Sequence, residues 1–417
     1  MTEIKEGYKK TEIGVIPVEW DVVKLNKICK FKQGIQVPLE EQHTTKMSDT
    51  IRFLRISDYT QSTDDIRFVS KDYSDYIISS DDVVMVRYGE TAGFIGTNLS
   101  GVLANNLFSI NPNEKIIKKY LYTYLNDEKI YNYLKSLRAA GAMPAVSFKS
   151  LNVIKIPLPP LKEQEKIADI LSTADERKDA IAVQIEKAKT LKIGLLQKLL
   201  SEGINHSEFK DSELGKIPKS WEVVKLDDMT IVITKGTTPT TLGFNYEDSG
   251  INFIKVESIG KNGNFIMNKF AYISEEANNS LQRSIIKEND LLLSIAGALG
   301  RVAIVNKDIV PANTNQALSI IRLKDEYIKE YVYFYLNSSQ IQNHIDKINV
   351  QNAQANLSLQ NIKNFKIALP PLKEQKQIAE ILSTADKKLE VLRAKKDKHE
   401  TLKIGLLQKL LSGEVRV

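Results

Sequence analysis

One cysteine, Cys29, and four histidines among 417 residues leave little for redox or metal chemistry. A disulfide framework and any multi-cysteine zinc or iron–sulfur centre are excluded, and a conventional zinc site has few ligands to draw on. No metal and no cofactor is expected, and a reducing compartment fits. Long apolar runs are missing as well, since none reaches the roughly 18–20 residues that span a bilayer. The opening MTEIKEGYKKTEIG has no apolar centre of the kind a signal peptide carries. A cytoplasmic protein without membrane contact is expected. Catalytic signatures are also absent. Gly215-Lys216 and Gly260-Lys261 are the nearest approach to a phosphate loop, and neither is followed by Ser or Thr. HExxH, GxSxG and a strand-linked GxGxxG do not occur. Two double prolines differ from the Asn-Pro-Pro-aromatic motif of amino-methyltransferases, because Leu158 or Leu369 precedes them and Leu161 or Leu372 follows. The chain is expected not to be an enzyme.

Strong charge of one sign is lacking too. The net charge is +6 and the pI about 8.9, which points to nucleic acid only if the excess is concentrated. The largest surplus, +4, lies in residues 369–417, and the two long segments 1–157 and 202–368 are nearly neutral. What is present is a globular composition, 42% hydrophobic and 26% charged, which argues against disorder. The length asks for two or three domains.

A repeat supplies them. LPPLKEQ begins at Leu158 and at Leu369, ILSTAD at Ile170 and Ile381, and TLKIGLLQKLLS at Thr190 and Thr401, all at an offset of 211. Over Leu158–Ser201 the copies share 28 of 44 positions. At the front of each copy Ile16, Pro17, Trp20 and Val22 to Leu25 match Ile217, Pro218, Trp221 and Val223 to Leu226 at offset 201. Between these ends the offset climbs, so one region varies in loop length and residue identity on a retained scaffold, as recognition loops do.

Each copy reads as short strands followed by helix. The runs VVKL, IRFLRI, DVVMV and LFSI, then VVKL, INFIKV, DLLLSI and ALSI, favour strands between Gly, Asn and Asp clusters. Ile117–Leu134 and Ile328–Ile345 have helical spacing, and their tyrosines (Tyr120, Tyr124, Tyr131; Tyr331, Tyr335) are expected as core more than as base-stacking platforms. After each double proline, with Glu163 or Glu374 in the first turn, a long helix is expected to run to Gly203 or Gly413. Its apolar stripe falls at 4,3 spacing: Ile167, Leu171, Ala174, Ile181, Ile185, Ala188, Leu195 and Leu199. About 40 residues give a rod of roughly 60 Å. Such a rod needs a partner for its stripe, and the second copy offers Ile378, Leu382, Ala385, Leu389, Leu392, Leu406 and Leu410. Gly194 and Gly405 inside the rods suggest a kink or a close backbone approach. The expected fold is α+β: two tandem mixed α/β domains (1–157 and 204–368), each followed by a helical region (158–203 and 369–417), the two helices pairing as an antiparallel coiled coil.

Candidate nucleic-acid contacts lie in the variable loops. Lys235, Thr237, Thr238 and Thr240 offer a cation and hydroxyls for phosphates. Lys32, Gln33 and Gln36 in the corresponding loop add amides capable of bidentate adenine contact. Arg52 and Arg55 are expected on one strand face, as are Lys255 and Glu257. Arg87 and Tyr88 precede a turn, Arg301 follows one, and Asn352, Gln354 and Asn356 close an amide-rich stretch that matches Gly141–Pro144. Each also has an ordinary reading as solvated turn or strand face. In the rods, Lys162, Glu163, Gln164, Lys192, Gln197 and Lys198 recur unchanged as Lys373, Glu374, Gln375, Lys403, Gln408 and Lys409. A buried stripe alone would not need that, so two equivalent docking sites for one partner species are expected; an internal strut whose identity reflects recent duplication is the alternative.

The order of an Ile-Pro-x-x-Trp start, GTTPTT, IKVES, LLLSIAGALGRVAIV, TNQALSI, NAQANLS and LPPLKEQ with a long helix, in tandem, resembles the specificity subunit of type I restriction-modification systems. The resemblance covers nearly the whole chain, and copy two fits better, since copy one has KQGIQV and RYGETAGFIG at two of these places. It implies two target-recognition domains, each reading half of a split double-stranded DNA site, with paired helices as spacer and docking surface. It implies as partners two methyltransferase (modification) subunits and restriction (nuclease-translocase) subunits. A coiled-coil scaffold without DNA specificity and a self-contained restriction or methylation enzyme are the alternatives.

Overall fold

The computed structural model describes residues 4–61, 63–136, 145–351 and 356–417. It divides into two compact units, residues 1–182 with 394–417 and residues 183–393. Each therefore holds one mixed domain together with a length of both long helices.

In the first unit Tyr8–Thr11 and Gly14–Pro17 form a hairpin, and Asp21–Lys24 pairs with Lys155–Leu158 just before the double proline. Two four-stranded sheets follow. One runs in the order Cys29–Gln33, Leu107–Pro112, Val83–Val86, Ile95–Gly96, all antiparallel. The other runs Arg67–Ser70, Thr50–Leu54, Gly101–Leu103, Ile77–Ile78, with Thr50–Leu54 parallel to Gly101–Leu103. The second unit repeats this: hairpin Phe209–Ser212 with Gly215–Pro218, pair Glu222–Lys225 with Lys366–Leu369, then two sheets of the same order. These are Thr230–Lys235, Leu318–Leu323, Leu291–Ser294, Val302–Ile304 and Ala271–Ile273, Ile251–Ile254, Ala312–Thr314, Ile285–Ile286.

The strand runs read from sequence are present, most of them trimmed by a residue or two at an end. Thr50–Leu54 stops before Arg55 and Ile251–Ile254 before Lys255, because Asp58 Oδ2 accepts the Arg55 N–H at 2.9 Å and Ser258 Oγ the Lys255 N–H at 3.1 Å. Each bond starts a short helical turn. The helix expected over Ile117–Leu134 is two, Lys118–Leu125 and Glu128–Ser136, and its counterpart is Lys329–Leu336 and Ser339–Gln351. The break has a local cause: Asp127 Oδ1 accepts the N–H groups of Lys129 and Ile130, so the second helix is capped afresh.

The rods span Leu161–Ser201 and Leu372–Leu411, 41 and 40 residues. In the first unit Ile167, Ala168 and Leu171 share a core with Leu410 and Leu411, and in the second Leu199 and Leu200 share one with Ile378, Ala379 and Leu382. The start of one rod thus meets the end of the other, the antiparallel pairing that the stripe implied. The same cores bury Trp20, Phe108 and Tyr120, or Trp221, Tyr331 and Tyr335, each side chain contributing about 2–3 kcal/mol of hydrophobic stabilisation. Tyr124 belongs to this core and Tyr131 is half-buried. Both helices run unbroken through Gly194 and Gly405, and a Cβ at either would meet nothing within 4 Å. No close approach explains those glycines.

Candidate nucleic-acid interface

Sheet register gathers the variable loops of each unit. In the second unit Lys235 lies opposite Ser319, Ser294 opposite Leu318, and Ile254 opposite Thr314. Thr237 N donates to Thr314 O at 3.0 Å, which joins the two sheets at this end. The segments after residues 235, 254, 294 and 314 therefore leave the strands together. In the first unit Gln33 lies opposite Phe108, Val86 opposite Leu107, and Leu54 opposite Leu103, with Ile35 N donating to Leu103 O at 2.8 Å. The amide-rich stretch joins them: Asn356 bridges Ala296 and, in the other copy, Ala145 bridges Tyr88. Asn352 and Gln354 lie outside the described residues.

Several candidates brought to these ends are held by neighbours. Asn105 links Gln33 and Gln36, accepting from Gln33 Nε2 on its carbonyl at 2.8 Å and donating from Nδ2 to Gln36 Oε1 at 2.9 Å. Lys32 donates to the Asp75 carbonyl and lies over the Tyr76 ring at 5.3 Å. Arg52 and Arg55 do not share a strand face. Both reach the buried Asp58, at 2.8 and 3.4 Å, and Arg55 also reaches Asp65 at 3.1 Å. Hydrogen bonds from Arg55 and Arg67 hold the Asp65 carboxyl below the ordinary carboxylate range. These arginines brace the loop. Arg87 lies over the rings of Tyr88 and Phe148 at 4.7 and 5.8 Å.

In the second unit Thr237 Oγ1 accepts from Arg283 at 3.1 Å and Thr238 donates to Gln316. Lys235 and Thr240 are exposed. Lys255 and Glu257 are likewise not on a strand: Lys255 lies 4.2 Å over the Tyr246 ring and Glu257 is exposed on the turn Val256–Ser258. Arg301 donates from one guanidinium nitrogen to the carbonyls of Ile259 at 2.7 Å and Val256 at 3.3 Å, which fixes the loop that carries them. That loop carries two lysines outside the expected DNA contacts, Lys261 and Lys269, which with Glu257 and Arg301 line a groove of about 450 Å³. Gly260-Lys261-Asn262-Gly263 was the readable signal, a lysine in a turn. Cations, hydroxyls and amides at one end of a rigid sheet pair can bind phosphates and base edges. Among the described residues no group of three or more His, Cys, Asp or Glu could hold a metal, and no helix is long and apolar enough to cross a membrane.

The rod candidates divide. Glu163 and Gln164 are buried: Glu163 accepts from Trp20 Nε1 at 2.9 Å and pairs with Arg416, while Gln164 accepts from Ile117 N at 3.0 Å and donates to the carbonyls of Pro159 and Lys115. The half-buried Glu374 and the buried Gln375 make the equivalent bonds, with Trp221 and His206 on Glu374 and Ile328 N and Pro370 O on Gln375. Lys403 pairs with Asp175 at 2.6 Å and Lys192 with Asp386, each across the two rods. Expected as docking residues, these six make intramolecular bonds: the carboxylates and amides hold each domain to its rods, and the two lysines join one rod to the other. Lys162, Gln197, Lys198, Lys373, Gln408 and Lys409 remain exposed.

The model of the type I restriction modification DNA specificity domain matches residues 17–189 and again 218–400. The MjaVIII specificity subunit of Methanocaldococcus jannaschii is 29% identical over 99% of this chain and 97% of that one, and the putative MjaX specificity subunit of the same organism is 30% identical at the same coverage. The EcoBI specificity subunit of Escherichia coli is 25% identical, covering 86% of this chain and 77% of its own. In fold, the crystal structure of a type I restriction-modification S subunit from M. genitalium aligns with a TM-score of 0.63 at 15% identity, over 94% of this chain and 96% of that one. With both copies matched by one model and relatives aligned end to end, the chain belongs to the type I restriction-modification DNA specificity domain family.

Proposed function

We propose that residues 1–157 and 204–368 are target-recognition domains, each reading one half of a split double-stranded DNA site. The chain is a non-catalytic DNA-recognition subunit of a type I restriction-modification system and works with methyltransferase and restriction subunits. The observation that supports a divided site is the convergence, in both units, of the same set of strand ends bearing different loops: Lys32 to Gln36 against Lys235 to Thr240, and Arg52 to Asp58 against Lys255 to Ser258. One scaffold with two loop sets suits two unlike half-sites. Phosphate contacts from exposed lysines dominate affinity and make it fall with salt. The exposed rod residues Lys162, Gln197, Lys198 and their counterparts Lys373, Gln408 and Lys409 are the docking positions that fit two modification subunits, one per repeat.

Exchange of residues 205–366 for the matching segment of a relative tests the divided site. Sequencing of the methylated positions in a host expressing the exchanged chain with its modification subunit should show one altered half-site and one retained. Alteration of both halves, or of neither, refutes the reading.

A further inference from the structure

We infer that Glu257 is a specificity-determining residue, accepting a hydrogen bond from the cytosine N4 amine of a G·C pair in the half-site read by the second unit. The inference rests on the divided-site reading. Glu257 is exposed on the turn after Ile251–Ile254 and lines the groove with Lys261, Lys269 and Arg301. Among the described residues, Glu257, Lys261 and Lys269 have no ion-pair partner within 4.0 Å, although all three border the same space. Arg301, the fourth charge, is engaged with the carbonyls of Val256 and Ile259 and sets the loop's position. Burial and the nearby Glu257 carboxylate push the Tyr246 hydroxyl upward, and the Lys255 ammonium covers that ring.

A carboxylate at the loop end of a DNA reader is repelled by every phosphate it approaches, so it does not serve backbone contact. What it offers is an acceptor, and cytosine N4 is the major-groove amine that carboxylates read, while the lysine partner is guanine O6 and N7. A groove with one unpaired carboxylate and two unpaired ammoniums presents that donor and acceptor set. The corresponding residue of the first copy at offset 200 is Ser57, so this acceptor is confined to one unit, as two unlike half-sites require.

The test compares the full chain with Glu257→Ala, both assembled with the modification subunit, by mapping methylated sites and by measuring duplex binding at two salt concentrations. The expected result is one G·C position of one half-site recognised with roughly tenfold less discrimination, an unchanged second half-site, and non-specific affinity equal or higher because a negative charge is gone. Lys261→Ala in parallel should lower affinity and reduce the salt slope by about one if it meets a phosphate, or relax the same G·C position if it meets guanine. If Glu257→Ala leaves all positions as selective as before, or relaxes an A·T pair, the inference is overturned. It falls alone when exchange of residues 205–366 still alters one half-site, and together with the divided-site reading when that exchange alters neither.

Discussion

Trp20 donates its indole N–H to the Glu163 carboxylate at 2.9 Å, and Trp221 makes the equivalent bond to Glu374 at 3.0 Å. The second acceptor bond differs between copies. Glu163 takes Arg416, from the chain end after the second rod, whereas Glu374 takes His206 Nε2 at 2.8 Å and Ile204 N at 2.9 Å, from the linker after the first. Gly413 and Gly203 introduce these segments, with φ of 69° and 67°. Each domain is thus fastened to a rod start by a tryptophan and by the residues that follow a rod end. Glu163→Ala leaves the buried Trp20 N–H without its acceptor and removes one of the two carboxylates on Arg416, which keeps Glu19 at 2.6 Å, a loss of about 1–3 kcal/mol. Because Trp20 and Trp221 are the only tryptophans, Trp20→Phe and Trp221→Phe backgrounds let fluorescence follow each unit separately during denaturation. Glu163→Ala should lower the first unit's midpoint and Glu374→Ala the second's. Equal loss in both units from either variant would contradict the local assignment.

The repeat and the rods were legible because they rest on identity and period, which sequence displays directly. Ile167, Leu171, Ile181, Ile185 and Leu199 are all buried, as the 4,3 spacing required. The helix break at Asp127 was legible in part, since Asn126-Asp127 and Asn337-Ser338 are capping residues inside an apolar period that continues past them. The site was less readable. Nothing local to Glu163 says that its donor is 143 residues away, so an internal clasp looked like a docking surface. The charges of Arg52, Arg55 and Arg301 were visible but their acceptors were not: a buried aspartate in one copy, backbone carbonyls in the other.

Gly34 and Gly236 occupy equivalent places where a side chain has no room. A Cβ at Gly34 would stand 2.2 Å from the Leu103 carbonyl oxygen, and one at Gly236 2.2 Å from those of Thr314 and Asn315. Those carbonyls cannot retreat freely, since Leu103 O accepts from Ile35 N and Thr314 O from Thr237 N. Gly34→Ala and Gly236→Ala should each cost about 1–3 kcal/mol in their own unit and weaken DNA binding by displacing the loop that follows. Gly194→Ala and Gly405→Ala should have the opposite sign. Both sites are open and helical, so alanine should stabilise by up to about 1 kcal/mol. Denaturant midpoints for the four variants check the pattern.

Cys29 is buried in the first unit, and that burial pushes its thiol from an ordinary 9.0 up to about 12. The folded state holds the proton more tightly than the unfolded state. Its contribution to stability is therefore complete below pH 9 and is lost as pH rises from 9 towards 12. At pH 8 a thiol reagent should label the native chain slowly, at a rate set by opening of the first unit. Glu163→Ala should accelerate labelling and Glu374→Ala should not, which stopped-flow or mass-shift measurement of the single thiol can read. Fast labelling of the unmodified native chain would show Cys29 to be accessible.

Lys403 and Asp175 pair at 2.6 Å across the rods, and Lys192 and Asp386 form the same pair at positions displaced by 211. All four side chains are partly exposed, so each pair contributes only about 0.5–1 kcal/mol and weakens in salt. Lys403→Glu sets a carboxylate against Asp175 and should lower the first unit's stability by about that amount, and adding Asp175→Lys with Lys178→Ala, which removes the second ammonium beside Asp175, should restore it. The swap also separates the two explanations for a recurring lysine. A lysine kept to join the rods can exchange places with its aspartate without effect on assembly, whereas one kept to meet a partner cannot. Denaturation and co-purification with the modification subunit should both return to their starting values in the combined variant; recovery of stability without assembly would return Lys403 to the docking surface.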